Sequence, residues 1–389
     1  MFFLLSLFGN VNLDKKFLLI IGAVILGGVS SIYVFLTSQE NVQTENYAEQ
    51  IMVRCNGKVH CAIEALMDMD KTEKQSTVLA TFKGLVSKYQ QSTYSCHDPA
   101  HHLGMFLYAY IGNLTQALSY ADQKCGGAVY HGLVESFMKQ RFSHVNRAEI
   151  DVTSICPKNT ENPYSSERWE CLHAIGHGLT SIYDYDVLGA VQRCDKFELG
   201  WEEVSCSKGV FMENSEHVHE SGIGTFDKDD LFFPCDAVDA KYAPACYHYH
   251  TLLILKQNNY STTESFKTCD KIIPEEFVKY CYGGLGRQLV RVSMESPRVL
   301  CQIGQPLYQN DCLKGAVAAI ADNMGIDDAF EFCKRLTEQF KVGCYDVVGK
   351  WVHMLHSTAE ERAKDCSKAE RSDYFEICMN ASLEVFALL

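Results

Sequence analysis

Positive charge is in short supply along this chain, which carries 35 Lys plus Arg against 49 Asp plus Glu. Only Asp14, Lys15 and Lys16 of these fall within the first 36 residues, so the remainder has a formal charge of −15. A surface of that sign repels a phosphate backbone, and no nucleic-acid partner is expected. The common catalytic signatures are also missing. The sequence contains no CxxCH for covalent haem, no HExxH, no GxSxG elbow and no phosphate-binding glycine loop. Gly283-Gly-Leu-Gly286 follows no strand-like run and gives no nucleotide site. Cysteine is absent from the first 54 residues, yet 18 follow.

The near-absence of charge at the start has its own meaning. Phe17 to Leu36 is an apolar run about as long as the roughly 20 residues a membrane-spanning helix needs. Lys15 and Lys16 flank it on the N-terminal side, which places residues 1–16 in the cytoplasm and everything after Thr37 outside. Val29-Ser30-Ser31 would serve as a signal-peptide cleavage site, but the run continues through Ile32 to Leu36, which favours an uncleaved anchor at 17–36 followed by a linker at 37–44. The expected location is a single-pass membrane protein whose main domain, 45–389, faces the cell surface or periplasm. Disulfides persist there, and the even cysteine count suits them. Three sequons, at Asn113, Asn259 and Asn380, permit glycosylation.

Cysteine spacing sets the architecture. The pairs 156/171, 194/206, 235/246, 269/281, 301/312, 333/344 and 366/378 recur along the chain, with 55/61 as a shorter version. Repeats of this period signal arrays of helical hairpins. Helix-like stretches such as Asp327–Cys333 and Ala359–Cys366 end on the first cysteine of a pair, and stretches such as Cys312–Ile320 begin on the second. A disulfide would therefore staple each turn. Helices opened by Cys61, Cys96 and Cys125 extend the series to ten hairpins. Cys96 and Cys125 have no partner upstream. They either bond to each other or remain free thiols, because neighbouring helices pack 8–10 Å apart whereas a bridge needs Cα atoms within about 7 Å.

These stapled hairpins resemble secreted cysteine-rich proteins built of Sel1-like repeats, relatives of the tetratricopeptide class, over most of residues 45–389. The resemblance implies an all-α, disulfide-stapled αα-hairpin repeat array, either a solenoid or a closed toroid. The spacing within each pair is longer than in those repeats, and their Trp, Leu-Gly and Tyr pattern is absent, so no functional residue is carried over.

Aligning the second helices on their opening cysteine gives each position a face. The fourth residue is mostly apolar, as in Ala65, Val129, Ile175 and Leu285, and forms the core stripe. The third is often small, as in Ala128, Ala174, Gly209, Gly284 and Gly315, where close helix approach is expected. The sixth differs. It reads His102, His131, His177, Met212 and later Arg287, Ala318 and Lys350, so this column faces solvent or a cavity. The second residue, one turn earlier, is polar too and includes Asp98, His173, Lys208 and His248.

Histidine concentrates on this face. Eight of the 14 histidines (97, 101, 102, 131, 173, 177, 248 and 250) fall within six residues of an opening cysteine, where even placement would put about two. His102, His131, His177, His173, Asp98 and Glu135 form the candidate metal set, since imidazole suits Zn, Cu or Fe and a carboxylate completes the shell or acts as base. A polar seam between repeats, with no metal, is the alternative. His250 sits on the core stripe as a satisfied buried histidine. His353 and His356 lie off the column, Glu216-His-Val-His-Glu220 reads as a solvated loop, and Met212-Glu213-Asn214 offers a soft ligand or an acid beside the cluster. Two functions are compatible with this reading. One is a membrane-anchored scaffold presenting its repeats to a protein, peptide or glycan, with the C-terminal half of the column as support or partner surface. The other is a metal-dependent hydrolytic or redox enzyme.

Overall fold

The computed structural model describes residues 46–92, 96–158 and 164–383. The expected anchor at 17–36 and linker at 37–44 lie outside the described residues. Among the described residues no helix is long and apolar enough to cross a membrane, and there is no strand. The helices are α1 (46–55), α2 (Val59–Met69), α3 (Gln75–Ser92), α4 (His97–Ile111), α5 (Leu114–Leu118) and α6 (Ala128–Phe142). They continue with α7 (Ser166–Ile182), α8 (Val187–Val191), α9 (Gly200–Ser221), α10 (Ala243–Gln257), α11 (Thr262–Cys269) and α12 (Val278–Val290). The series ends with α13 (Ser296–Leu300), α14 (Gln309–Asn323), α15 (Ile326–Lys334), α16 (Glu338–Leu355), α17 (Ala359–Cys366) and α18 (Ser372–Ala381).

Ten of these, α2, α4, α6, α7, α9, α10, α12, α14, α16 and α18, are the helices that an opening cysteine marks in the sequence. Each packs on the next along the chain. Their partner arms are much shorter: α11, α15 and α17 have eight or nine residues, and α8 and α13 only five. Helices of that length are marginal alone, since nucleation costs more than one or two turns return. The bridge holds them. All eight expected pairs are bonded, with Cα atoms 5.3 to 5.8 Å apart.

Cys96 and Cys125 are bonded as well, with a Cα separation of 5.4 Å. The normal spacing of helix axes does not prevent this because Cys125 is not yet helical. Cys125, Gly126 and Gly127 all have left-handed backbone, with φ of 57°, 65° and 63°. This turn lowers the chain onto the start of α4, and two of its three residues are the type that bears such φ without strain. No free cysteine remains among the described residues.

Close contact between adjacent second arms depends on glycine. A Cβ on Gly209 would stand 1.9 Å from the carbonyl oxygen of His173, and one on Gly176 would stand 2.1 Å from that of Cys206. Thus α7 and α9 meet backbone to backbone at the level of the histidines, as the small third position implies. Gly209→Ala should consequently lower stability by about 2 kcal/mol, since overpacking costs up to ~3 kcal/mol and helix propensity returns about 1. Urea unfolding of the two proteins measures this; an unchanged midpoint would show that the helices can part at no cost.

The row of second arms bends until distant members meet. Arg291, which follows the last residue of α12, pairs with Glu216 of α9, a ring of Tyr164 lies 6.3 Å from that of His353, and a Cβ on Gly126 would lie 2.9 Å from Asn323 Oδ1 of α14. Residues of the polar column from both halves thereby face the same interior. The C-terminal members Arg287, Ala318 and Lys350 line a cavity with His131 and His173 instead of forming a separate support surface. Glu216–Glu220 is the last part of α9, not a loop, and His217 stacks on Tyr185 with centroids 3.8 Å apart.

Candidate metal centre

His131 on α6 and His173 and His177 on α7 come together. One ring nitrogen from each lies within 4.8 Å of the others, and all three residues are buried. Two features of the sequence place them there. His173 and His177 are one turn apart on a single helix face, and α6 packs along that face. The rings of His131 and His177 stack with centroids 4.5 Å apart.

Hydrogen bonds around the triad fix which nitrogens carry protons. His97 Nδ1 lies 3.0 Å from the carbonyl oxygen of Cys125, which can only accept, so this nitrogen donates. Burial first, and nearby His101 and His177 second, hold His97 well below the usual histidine range, so the ring is neutral and its Nε2 is an acceptor. His131 Nδ1, 3.3 Å away, must then donate to it. His131 is kept neutral by burial and its histidine neighbours, which leaves a lone pair on Nε2. Facing that lone pair at 3.3 Å is Glu170 Oε2. Glu170 is buried, and desolvation and then Asp322 raise its carboxyl well above the usual range, so it retains a proton and donates it to His131. Gly127 gives Glu170 its room, since a Cβ there would lie 2.3 Å from Oε2.

His177 shows the same polarity. Its Nδ1 donates to Glu213 Oε2 at 2.8 Å, while its buried Nε2 has no hydrogen-bond partner. The third ring, His173, is neutral through burial, and its buried Nδ1 has no partner either. Buried polar atoms are rarely left unsatisfied. Here two of the three rings carry a buried nitrogen with no partner, and one nitrogen from each ring lies within 4.8 Å of the others. That donor set fits a transition ion, and the His177–Glu213 pair is the outer-shell carboxylate that commonly orients a ligating imidazole. His131, His173 and His177 would hold such an ion, which would supply Lewis-acid or redox chemistry there.

The remaining members of the candidate set do not join the triad. His102 is partly exposed, 3.5 Å from Asp98 Oδ1, and its ring lies 5.0 Å from that of His60. Asp98 is 72% exposed. Glu135 is buried but lies 3.0 Å from His101 Nε2 and pairs with Lys139. Burial would raise Glu135, but His101 and Lys139 outweigh it and hold the carboxyl well below the usual range. In turn, burial would lower His101, and Glu135, Glu213 and Asp98 raise it instead. On α4 the rings that lie against the triad are His97, beside His131, and His101, beside His177. The 96/125 bridge ties α4 to the next second arm instead of to its own short arm, and the first, second, fifth and sixth residues after the cysteine, His97, Asp98, His101 and His102, all border one cavity. His250 is buried with Nε2 2.9 Å from the Leu231 carbonyl, as its core position implies.

Two cavities border the triad. One, of about 250 Å³, includes His131, His173, Glu170, Lys208, His248 and Trp351 in its walls. The other, of about 410 Å³, is lined by His97, Asp98, His101, His102, Glu135, His177 and Glu213 among others, so it gathers Asp98, His102 and Glu135 of the candidate set beside His177. Met212 and Arg287 face both. Lys208 is buried, and desolvation followed by the charge of Arg287 brings its amine down to about 7. Glu170 and Lys208 were not picked out as site members from sequence. Glu170 precedes its cysteine, outside the aligned window, and a lone lysine at a second position gives no hint of burial.

No family model, curated protein or solved structure matches this chain. The reading of the site therefore rests on the chemistry of its residues.

Proposed function

We propose that this protein is a membrane-anchored, extracytoplasmic αα-hairpin repeat array, curled as a solenoid or toroid, that holds a transition metal at His131, His173 and His177 and uses it on a small molecule admitted to the interior. The observation that carries this reading is the triad itself: three buried imidazoles with one nitrogen each within 4.8 Å of the others, on rings two of which also carry a buried nitrogen with no partner. A three-histidine ion keeps a coordination position open and supplies Lewis-acid or redox chemistry to a bound oxygen. Zn, Cu and Fe all suit imidazole. Glu213 orients His177, His97 orients His131, and Glu170 can hold or return a proton beside the site. Nine disulfides support placement outside the cytoplasm, as the apolar run at 17–36 does. The exposed sequon residues Asn113, Asn259 and Asn380 are open to glycan attachment in a host that glycosylates.

The outer faces of the array also offer an extended surface to a protein, peptide or glycan, as repeat arrays commonly do. That role is compatible with an interior centre.

The test is elemental analysis of the full chain made in an oxidising compartment, beside the His131→Ala, His173→Ala, His177→Ala triple variant. The expected result is one metal per chain in the first and a loss of more than tenfold in the second, because second-coordination changes alone cost about 10–100-fold in affinity. No metal in the wild type after reconstitution with Zn, Cu or Fe would return the triad to a polar seam.

A further inference from the structure

The chamber on the His131–His173 side has a second specialised end. Its cationic lining comes from Lys208, Lys279, Arg287, Lys314 and Lys350, on α9, α12, α14 and α16. The acids among them are largely engaged. Asp346 lies 3.0 Å from Lys350, Asp322 lies 3.3 Å from Arg287, and Glu170 is turned to His131. Lys279 and Lys314 have no ion pair among the described residues, and Asp311 is the one lining carboxylate left to face them. A different kind of observation points the same way. Trp351 lines the chamber at 7% exposure, and its buried indole N–H has no hydrogen-bond acceptor. Ammonium groups and an orphan N–H are all donors, and what they lack is an oxyanion.

We propose that this chamber binds a small molecule bearing a phosphate or carboxylate group, with the oxyanion held by Lys314, Lys350 and the Trp351 N–H. Trp169 and Tyr249 flank the body of the ligand, in a cavity whose size suits on the order of a dozen non-hydrogen atoms. The anion site stands without a metal. Only the orientation of the ligand, with its other end toward His131 and His173, rests on the metal reading. Since the lysines come from α14 and α16 and the histidines from α6 and α7, the bend of the row is what brings the two ends into one chamber.

Calorimetric titration of the full chain with inorganic phosphate and, separately, with malonate tests this and distinguishes the two oxyanions. At least one should bind saturably, and Lys314→Met with Lys350→Met should weaken it by about tenfold or more per lysine, the usual value of a hydrogen bond to a charged group. Trp351→Phe, which keeps the aromatic wall and deletes only the donor, should weaken it by about fivefold and provides the readout if the double variant does not fold. Absence of saturable binding by either anion, or unchanged affinity in folded variants, would overturn the proposal. The triple histidine variant separates the two readings. Anion binding retained there, with metal lost, supports both; anion binding in a wild type that takes up no metal leaves the chamber and removes the metal.

Discussion

Reduction of the disulfides should unfold the chain at room temperature. Bridges that close loops of 11 to 15 residues each constrain the unfolded state by about 3 kcal/mol in the chain-entropy model. Seven bridges here have separations in that range, with the 96/125 bridge spanning 29 and the 55/61 bridge 6. Their sum, on the order of 20 kcal/mol or more, exceeds the roughly 5–15 kcal/mol by which folded domains are normally stable. The first arms make the dependence acute. Arms of five to nine residues have too few backbone hydrogen bonds to persist, and the bridge at the end of each is what lays it against its partner. Far-UV circular dichroism with and without a thiol reductant, in chelator to remove any metal effect, gives the answer. A reduced chain that kept its helicity and melting temperature would mean that packing between second arms suffices. The expected loss would confine the folded protein to oxidising compartments, independently of the anchor.

The repeat was legible because cysteine is a covalent marker with a fixed place in each unit. Its spacing located all ten second arms and eight of the nine bridges, and the residues counted from it separated a core stripe, a small packing position and a polar column. The assignments hold at His131, His177 and Gly209 because their helices share one phase. His102 also borders a cavity, as its sixth position implies, but the α4 rings that lie against the triad are His97 and His101, one residue earlier in each turn and so about 100° round the helix. His97 was visible as part of the histidine excess but had no claim to the inward face until that rotation was known.

Across the interior, sequence alignment could see nothing. Arg287, Asp322 and Lys350 stand far along the chain from His131, and only the bend of the row places them in one cavity. A column of mixed His, Met, Arg and Lys was compatible with either solvent or a cavity, and burial decided for the cavity. The same is true of Glu170. Its raised carboxyl is a product of desolvation and of Asp322 on α14, a contact no local pattern encodes.

Mild acid should destabilise the protein steeply between about pH 6.5 and 4. Burial lowers His97, His131, His173 and His248 well below the usual histidine range, with surrounding cationic groups contributing further. His250 is brought to about 4 by desolvation, partly offset by its bond to Leu231. A histidine whose folded pKa is depressed leaves stability at its full value above the unfolded pKa near 6.5. As pH falls, the unfolded chain takes up a proton that the fold refuses, and stability drops until the folded pKa is reached. For His250 alone that window is worth about 3 kcal/mol. The others add to it with the same sign. His101 opposes them, since its raised pKa gives stability that is present below about 6.5 and fades as pH rises through the folded value, and so do the raised carboxyls of Glu170 and Asp322, which take up protons in the fold first as pH falls; five histidines outnumber these three groups. Glu135, held low, contributes its loss only below the ordinary carboxylate range. Urea unfolding of the chelator-treated chain between about pH 7.5 and 4.5 measures the slope, and His250→Gln, which can still donate to the Leu231 carbonyl but cannot titrate, should flatten it. A stability independent of pH across that range would mean that water reaches these rings. With metal bound the loss should be steeper still, because protons then compete directly for the three imidazoles that hold the ion.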